Sequence, residues 1–251
     1  EITADKLLLA KASCMGVNCM IEPQNPFANK ELTTEERIVL RAEREANIEA
    51  EKNGGIPTKH SLIKLRKAYD DAGNDFKAAE TLEQQNEIYP NPEDYNLIGV
   101  YYHNSGNKDK AVEFFERAIE HNPNDYWPNF NLGNTLFYKD PQRARKHLNK
   151  AYELYPSEPC INILLGRLDK NEGKTVEAKE KFQIAYDKYE QRWKANSLSD
   201  TDYDWFASVA EELGKRDKAY EIRRAKPKIE KTSYYDEENL TQTILKSITK
   251  I

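Results

Sequence analysis

The residue types that most often perform chemistry do not form a catalytic pattern in this 251-residue chain. The four histidines, His60, His103, His121 and His147, are scattered without the spacing of metal ligands, and no HExxH pair is present. No glycine-rich phosphate loop occurs, and no serine or cysteine lies in a nucleophile-elbow context. These absences predict a protein that is not an enzyme and that uses neither a metal nor a cofactor.

Two pairs of acidic residues, Asp70-Asp71 and Glu211-Glu212, could in principle supply general acid and base groups. Adjacent residues on a helix point in different directions, so neither pair can hold two carboxylates on one substrate. We interpret both pairs as solvated helix surface.

The three cysteines give information about the cellular compartment of the protein. Cys14 and Cys19 could close a small disulfide loop in an oxidising environment, and two unpaired thiols are the alternative. Cys160 is expected to be a small buried hydrophobic residue. The chain starts at Glu1 without an initiator methionine, which fits a removed signal peptide or a trimmed chain. An extracytoplasmic location, periplasmic or secreted, is favoured here over a cytoplasmic one.

Charge and hydropathy exclude two classes of partner. Charged residues make up 32% of the chain and the net charge is −5, so the chain lacks the basic excess expected of a nucleic-acid-binding protein. No apolar run approaches the length of about 20 residues that a membrane-spanning helix needs.

The elements of the chain are organised around a two-helix pattern in residues 92–124. Small side chains at Gly99 and Ala111 allow two antiparallel helices to approach closely, Gly106 favours a turn between them, and Pro123 ends the second helix. The order and spacing of these landmarks resemble the tetratricopeptide repeat, a helix-turn-helix unit of about 34 residues. The positions that carry the resemblance are Tyr95, Ile98, Gly99, Tyr102, Gly106, Ala111, Phe115, Ala118 and Pro123.

The same register continues on both sides of this unit. The small residue of each second helix recurs at steps of 33, 33 and 34 residues, at Ala78, Ala111, Ala144 and Ala178. A larger residue follows four places later each time, at Leu82, Phe115, Leu148 and Phe182. The resemblance therefore implies an all-α fold, a right-handed α-α superhelix of about five helix pairs with additional helices at both ends.

The pattern divides the chain into three parts. A helical and loop extension covers residues 1–58, the array covers 59–227, and a linker with a capping helix covers 228–251. Within the array the repeats are predicted at 59–91, 92–125, 126–158, 159–199 and 200–227, where the second helix of the fourth repeat runs on to about Ala195.

Both ends carry further helix signals. A short helix is expected over Thr3–Ser13, followed by a loop from Gly16 to Lys30, and Thr33 with Glu36 forms a capping-box signature for a helix over Thr34–Lys52. At the other end, an apolar stripe predicts a last helix that either covers repeat five or is offered to a partner. The stripe consists of Leu240, Ile244, Ile248 and Ile251.

The resemblance also implies where a partner binds. In such repeats the first helices line the inner wall of the superhelix, which makes the middle of the wall aromatic, with a basic patch and then an acidic patch beside it. The partner-binding residues expected on this basis are Trp127, Phe130, Asn134, Phe137, Tyr138, Asn96, His103, Arg167 and Lys170. For Phe130 and Phe137, packing into the neighbouring repeat is an equal alternative, whereas Trp127 and Tyr138 are expected to reach solvent.

One specific activity of similar proteins is not supported. Chaperone-binding relatives hold the terminal carboxylate of a heat-shock protein with lysine, asparagine and arginine at fixed positions of three successive first helices. Neither register of this chain supplies that set. The residues at the matching positions are Ile63, Lys67, Leu97, Tyr126 and Phe130, or Asn96, Val100, Asn131, Pro159 and Ile163.

We therefore expect a non-catalytic scaffold that binds a peptide or protein segment on its inner wall. The alternative is a self-associating protein, such as a homodimer formed through the terminal helices, or a regulatory subunit of a larger assembly.

Overall fold

The computed structural model describes residues 32–227 together with the backbone of two short strands, β1 (Ala10–Cys14) and β2 (Val17–Ile21). The strands pair antiparallel, with Cys14 opposite Val17 and Ala12 opposite Cys19. The helix expected over Thr3–Ser13 is therefore wrong at its C-terminal end, and the expected loop is wrong for Val17–Ile21. Short segments with Val, Ile and Cys around a glycine suit a hairpin better than a single turn of helix.

Eleven α-helices occupy most of residues 32–227, and a single 3-10 turn covers Pro92–Asp94. The helices are α1 (Thr34–Lys52), α2 (Lys59–Asp71), α3 (Asp75–Ile88), α4 (Tyr95–Asn104), α5 (Lys108–His121), α6 (Tyr126–Leu136), α7 (Pro141–Leu154), α8 (Pro159–Asn171), α9 (Thr175–Lys194), α10 (Asp200–Glu212) and α11 (Arg216–Ala225). The predicted helix-pair fold is confirmed, and the first helix of the array, α2, begins one residue after Thr58.

Local signals in the sequence set the helix ends. Thr33 caps α1 in a complete capping box with Glu36, as predicted, and Ser199 and Asp202 form a second capping box at α10. Asp140 caps α7, with Pro141 at the first helical position, where its missing N–H is not needed. Gly106 has φ of 86°, the left-handed conformation that a turn between two helices requires.

The chain divides into two compact units, Glu1–Asn107 and Lys108–Ile251. In the first unit, the core is formed by apolar faces of α2, α3 and α4. Tyr69 and Tyr102 are buried there with their hydroxyl groups donating to the carboxylates of Glu43 and Glu83. Other buried side chains of this unit are Leu62, Ala68, Ala78, Ala79, Leu82 and Ile98.

In the second unit, the predicted register positions lie in the core. Ala144 and Ala178 are buried where second helices meet first helices, and Leu148 and Phe182 fill the space beside them. A β-carbon added to Gly133 would lie 2.6 Å from Leu148 Cγ, and one added to Gly166 would lie 2.7 Å from Phe182 Cε1. Glycine at these two positions therefore allows the close helix approach that the pattern predicted.

The long helix α9 joins the last two helix pairs. Its final turns bring Tyr189 and Trp193 against α10, where their rings lie 5.8 and 6.0 Å from the ring of Phe206. The extra length predicted for this helix therefore adds packing surface between the fourth and fifth pairs.

Several predictions concern residues outside the described part. The prediction of a C-terminal helix with Leu240, Ile244, Ile248 and Ile251 falls there, as does the prediction of a bridge between the side chains of Cys14 and Cys19. Among the helices that the structure describes, none combines the length and apolarity that a membrane span requires.

Candidate partner-binding surface

Three aromatic rings stack at the N-terminal end of α6, and we call them the aromatic platform: Tyr126, Trp127 and Tyr155. The Tyr126 ring lies 4.6 Å from the Trp127 ring and 4.8 Å from the Tyr155 ring, between centroids. Asp125 fixes this end of the helix because its side chain accepts a hydrogen bond of 3.0 Å from the Trp127 N–H. Trp127 is 45% exposed and Tyr155 is 42% exposed, so the platform reaches solvent.

Phe130 supports the platform from inside. Its ring meets the Trp127 ring edge-on at 6.0 Å and the Trp205 ring of α10 at 6.1 Å. Phe130 is only 5% exposed. Of the two alternatives for this residue, the structure shows core packing against Trp205.

The aromatic residues at the other end of α6 show the same division. Phe137 is 5% exposed, whereas Tyr138 is 86% exposed and packs only its edge against Phe137, with centroids 4.9 Å apart. Tyr138 lies in the turn after α6 ends at Leu136. The nine helical steps from Trp127 to Leu136 span about 14 Å. The two exposed rings thus mark opposite ends of α6.

A polar stripe runs between these ends. Trp127, Asn131 and Asn134 follow one another at steps of four and three, so they lie on one face of α6, and Tyr138 follows in the turn after the helix. Asn131 and Asn134 are both partly exposed. We call the surface defined by Trp127, Asn131, Asn134 and Tyr138 the α6 stripe.

The predicted basic residues are already engaged within the protein. Arg167 Nε lies 2.9 Å from Glu212 Oε1, and the same guanidinium donates to Ser208 Oγ. Lys170 Nζ lies 2.9 Å from Glu212 Oε2. The basic patch and the acidic patch that the sequence predicted side by side are joined into one ion-pair network between α8 and α10.

Asn96 and His103, the remaining predicted contacts, lie on α4 in the first unit. Both are partly buried, and each has an interaction partner in the structure. The other predicted residues belong to the second unit, where the platform and the α6 stripe are continuous.

Three ring residues of this surface were not predicted. Tyr126 and Tyr155 complete the platform, and Trp205 covers Phe130 from α10. These three residues are not at the positions that line the inner wall in the family. Aromatic side chains that flank the start of a helix are a signal that could have predicted this surface.

A partly buried ion triad lies next to the platform, where α8, α9 and α10 meet. Arg192 at the end of α9 reaches Glu158 at 3.2 Å and Asp202 at 3.3 Å. Cys160 is buried beside them, and burial together with the Glu158 carboxylate raises the pKa of its thiol. A protonated thiol of this kind is a poor nucleophile.

The residues that the structure describes hold no group, this triad included, with the arrangement of a metal site. In residues 32–227 no cluster of three or more His, Cys, Asp or Glu side chains is placed to hold an ion. The surface is suited to contact and hydrogen bonding.

Comparison with known proteins agrees with this architecture. Residues 92–125, which include the 3-10 turn, α4 and α5, match the model of the tetratricopeptide repeat family. A crystal structure of MamA, a protein with the same kind of repeat, is 20% identical and has a TM-score of 0.52, covering 66% of this chain and 99% of its own. MamA from Desulfovibrio magneticus RS-1 is 17% identical, with a TM-score of 0.49 over 66% of this chain and 91% of its own. The chain thus carries a tetratricopeptide repeat within a fold of stacked helix pairs.

Proposed function

We propose that this protein is a non-catalytic interaction scaffold that binds a peptide or protein segment along the α6 stripe. The tetratricopeptide repeat and the paired-helix fold support an interaction scaffold in general terms. The position of the bound segment on α6 is the finer part of the proposal.

The observation that carries the proposal is the state of Trp127. Its ring is held by Tyr126 on one side and by the edge of Phe130, yet 45% of the side chain is open to solvent. A large ring that is fixed before binding loses little conformational entropy when a partner covers it, and such rings are enriched in binding hot spots.

The geometry of the stripe favours an extended segment. From Trp127 to the end of α6, after which Tyr138 follows in the turn, is about 14 Å along the helix axis, a distance that about four residues of extended chain cover. Asn131 and Asn134 lie between the two ends, and an asparagine amide can both donate to and accept from the backbone of a bound segment. Arg167 and Lys170, which pair with Glu212, are secondary contacts in this proposal.

The experiment is affinity capture from the native source with the wild type and the double variant Trp127→Ala, Tyr138→Ala. Loss of a specific protein from the captured set, with helicity and the melting temperature nearly unchanged, is the expected result. Tyr220→Ala is the matched control, because Tyr220 is an exposed ring on α11, away from the α6 stripe.

Two outcomes contradict the proposal. Capture that is the same with the wild type and the double variant would show that the stripe is not used. A melting temperature lowered by more than about 10 °C, as expected for loss of core rings, would show that the two side chains serve stability. Solution mass of both proteins, measured in parallel, separates partner binding from self-association.

A further inference from the structure

The aromatic rings of the second unit differ in what covers their faces. Four rings are covered by a cation of the protein itself: Phe114 by Arg117 at 4.9 Å, Tyr186 by Lys215 at 3.3 Å, Tyr189 by Arg192 at 5.7 Å and Trp193 by Lys218 at 4.9 Å. Within residues 32–227, no lysine or arginine lies over Trp127 or Tyr155 in this way. The exposed rings of the platform therefore keep the negative potential of their faces available.

Carboxylates adjoin the same rings. Asp125 precedes the platform directly, and among the described residues no cation forms an ion pair with it. Burial raises the pKa of the Tyr126 hydroxyl, and the carboxylates of Glu158 and Asp125 raise it further. Asp125 thus places a carboxylate beside the platform whose partner in the structure is the N-terminus of α6, through the Trp127 N–H.

Two other charged side chains near the platform have interaction partners within the protein. Glu158 is paired with Arg192, as described above. Lys188 donates from its ammonium group to the Pro156 carbonyl oxygen at 2.7 Å. Of the acidic groups adjoining Tyr126, Asp125 is therefore the one that can take a cation from a partner.

We propose that the aromatic platform binds an arginine side chain of the partner segment, with its guanidinium stacked on Trp127 and paired with Asp125. Arginine fits better than lysine because its guanidinium is planar, stacks on aromatic rings and presents several N–H donors to one carboxylate. This inference rests on the proposed function and adds the chemistry of one contact. A chain with a net charge of −5 also favours a basic partner over an acidic one.

The test uses the full chain and two synthetic peptides, acetyl-Gly-Arg-Gly-Arg-Gly-amide and the same peptide with citrulline in place of arginine. Citrulline has nearly the same shape without the charge. The chain has three tryptophans, whose indole N–H resonances in a ¹⁵N-labelled sample are assigned by replacing each with phenylalanine. Titration to millimolar peptide then reports binding at each ring separately.

We expect the arginine peptide to shift the Trp127 indole resonance and to leave that of Trp193 unchanged, since Lys218 covers the Trp193 ring. Its affinity should exceed that of the citrulline peptide by about threefold to thirtyfold, the range expected for a cation over an aromatic face. Asp125→Asn should weaken the arginine peptide similarly while keeping the helix cap, because asparagine caps helices as well as aspartate does. Asp200→Asn, an exposed acid at the start of α10, is the control and should have no effect.

Equal affinity for the two peptides, or an unchanged affinity in Asp125→Asn, would overturn the inference. If the citrulline peptide still shifts the Trp127 indole in that case, the surface binds peptides and the proposed function stands. If neither peptide shifts the Trp127 indole, the inference fails, and the affinity capture with the double variant decides the proposed function independently.

Discussion

Arg167 Nε lies 2.9 Å from Glu212 Oε1, which ties the fourth repeat to the fifth through a partly buried ion pair. Lys170 binds the second oxygen of the same carboxylate. Both basic residues were predicted to contact a partner, and the structure gives them a contact within the protein. Both residues thus link α8 to α10 through Glu212.

The strength of this tie can be measured with a double-mutant cycle of Arg167→Ala and Glu212→Ala in urea unfolding. We expect each single variant to lower the free energy of unfolding by about 1 kcal/mol, with a coupling energy of about 1 kcal/mol, because charge-assisted hydrogen bonds between partly buried groups exceed surface pairs. The exposed pair Arg41–Glu45 is the control, and its coupling should be below about 0.5 kcal/mol. Equal coupling for the two pairs would contradict the structural role.

Acid should weaken the fold through two carboxylates. Burial opposes ionisation of Glu212, but hydrogen bonds from Lys170 and Arg167 lower its pKa below the ordinary 4.5. For Asp169, burial likewise opposes ionisation, and contacts with Lys181 and Arg145 lower its pKa below 3.8. A lowered folded pKa gives stability that is fully present above the ordinary pKa and is lost as the pH falls through the folded value.

The free energy of unfolding should therefore decline steadily below about pH 4.5. Glu212→Gln combined with Asp169→Asn should lower stability at neutral pH and flatten the decline, which urea unfolding between neutral and acidic pH can measure. An unchanged slope in this variant would assign acid sensitivity to other groups.

The close helix approach at Gly133 and Gly166 predicts a large effect from a single methyl group. Gly166→Ala places a β-carbon against the Phe182 ring and the Ala178 carbonyl oxygen, and Gly133→Ala places one against Leu148. We expect each to lower the free energy of unfolding by about 1 to 3 kcal/mol, as for overpacked cores, despite the higher helix propensity of alanine. Asn171→Ala, at the exposed end of α8, is the control and should change stability by less than about 0.5 kcal/mol.

Removing Arg192 should cost more than removing an exposed arginine. Arg192→Met leaves Glu158 and Asp202 largely buried without a cation, so we expect a loss of about 2 to 4 kcal/mol in the free energy of unfolding. Adding Glu158→Gln and Asp202→Asn to the same chain should recover part of that loss, because neutral amides are easier to bury than unpaired carboxylates. No recovery in the triple variant would show that Arg192 acts through packing on Tyr189.

The sequence predicted the helices well where local signals and repeat spacing agree. Thr33 with Glu36 located α1 to the residue, and the alanines at 33- or 34-residue steps are buried as expected. The hairpin at β1 and β2 was missed because its segments are five residues each, too short for periodicity to separate a strand from a helix turn.

The surface was predictable only in part. The exposure of Trp127 and Tyr138 agrees with the sequence-based expectation, since both sit at the ends of a helix whose other large residues face inward. The contact of Phe130 with Trp205 and the pairing of Arg167 with Glu212 join residues 75 and 45 positions apart. Such contacts depend on the angle between successive helix pairs, which repeat spacing does not determine.

The overlong α9 has a practical consequence for protein engineering. Repeats of this class are often treated as interchangeable modules, yet here Arg192 belongs to one repeat by sequence and to the next by its contact with Asp202. A graft or deletion made at the ordinary 34-residue boundary would separate this cation from Asp202. The last two helix pairs should therefore be exchanged together, as one indivisible block.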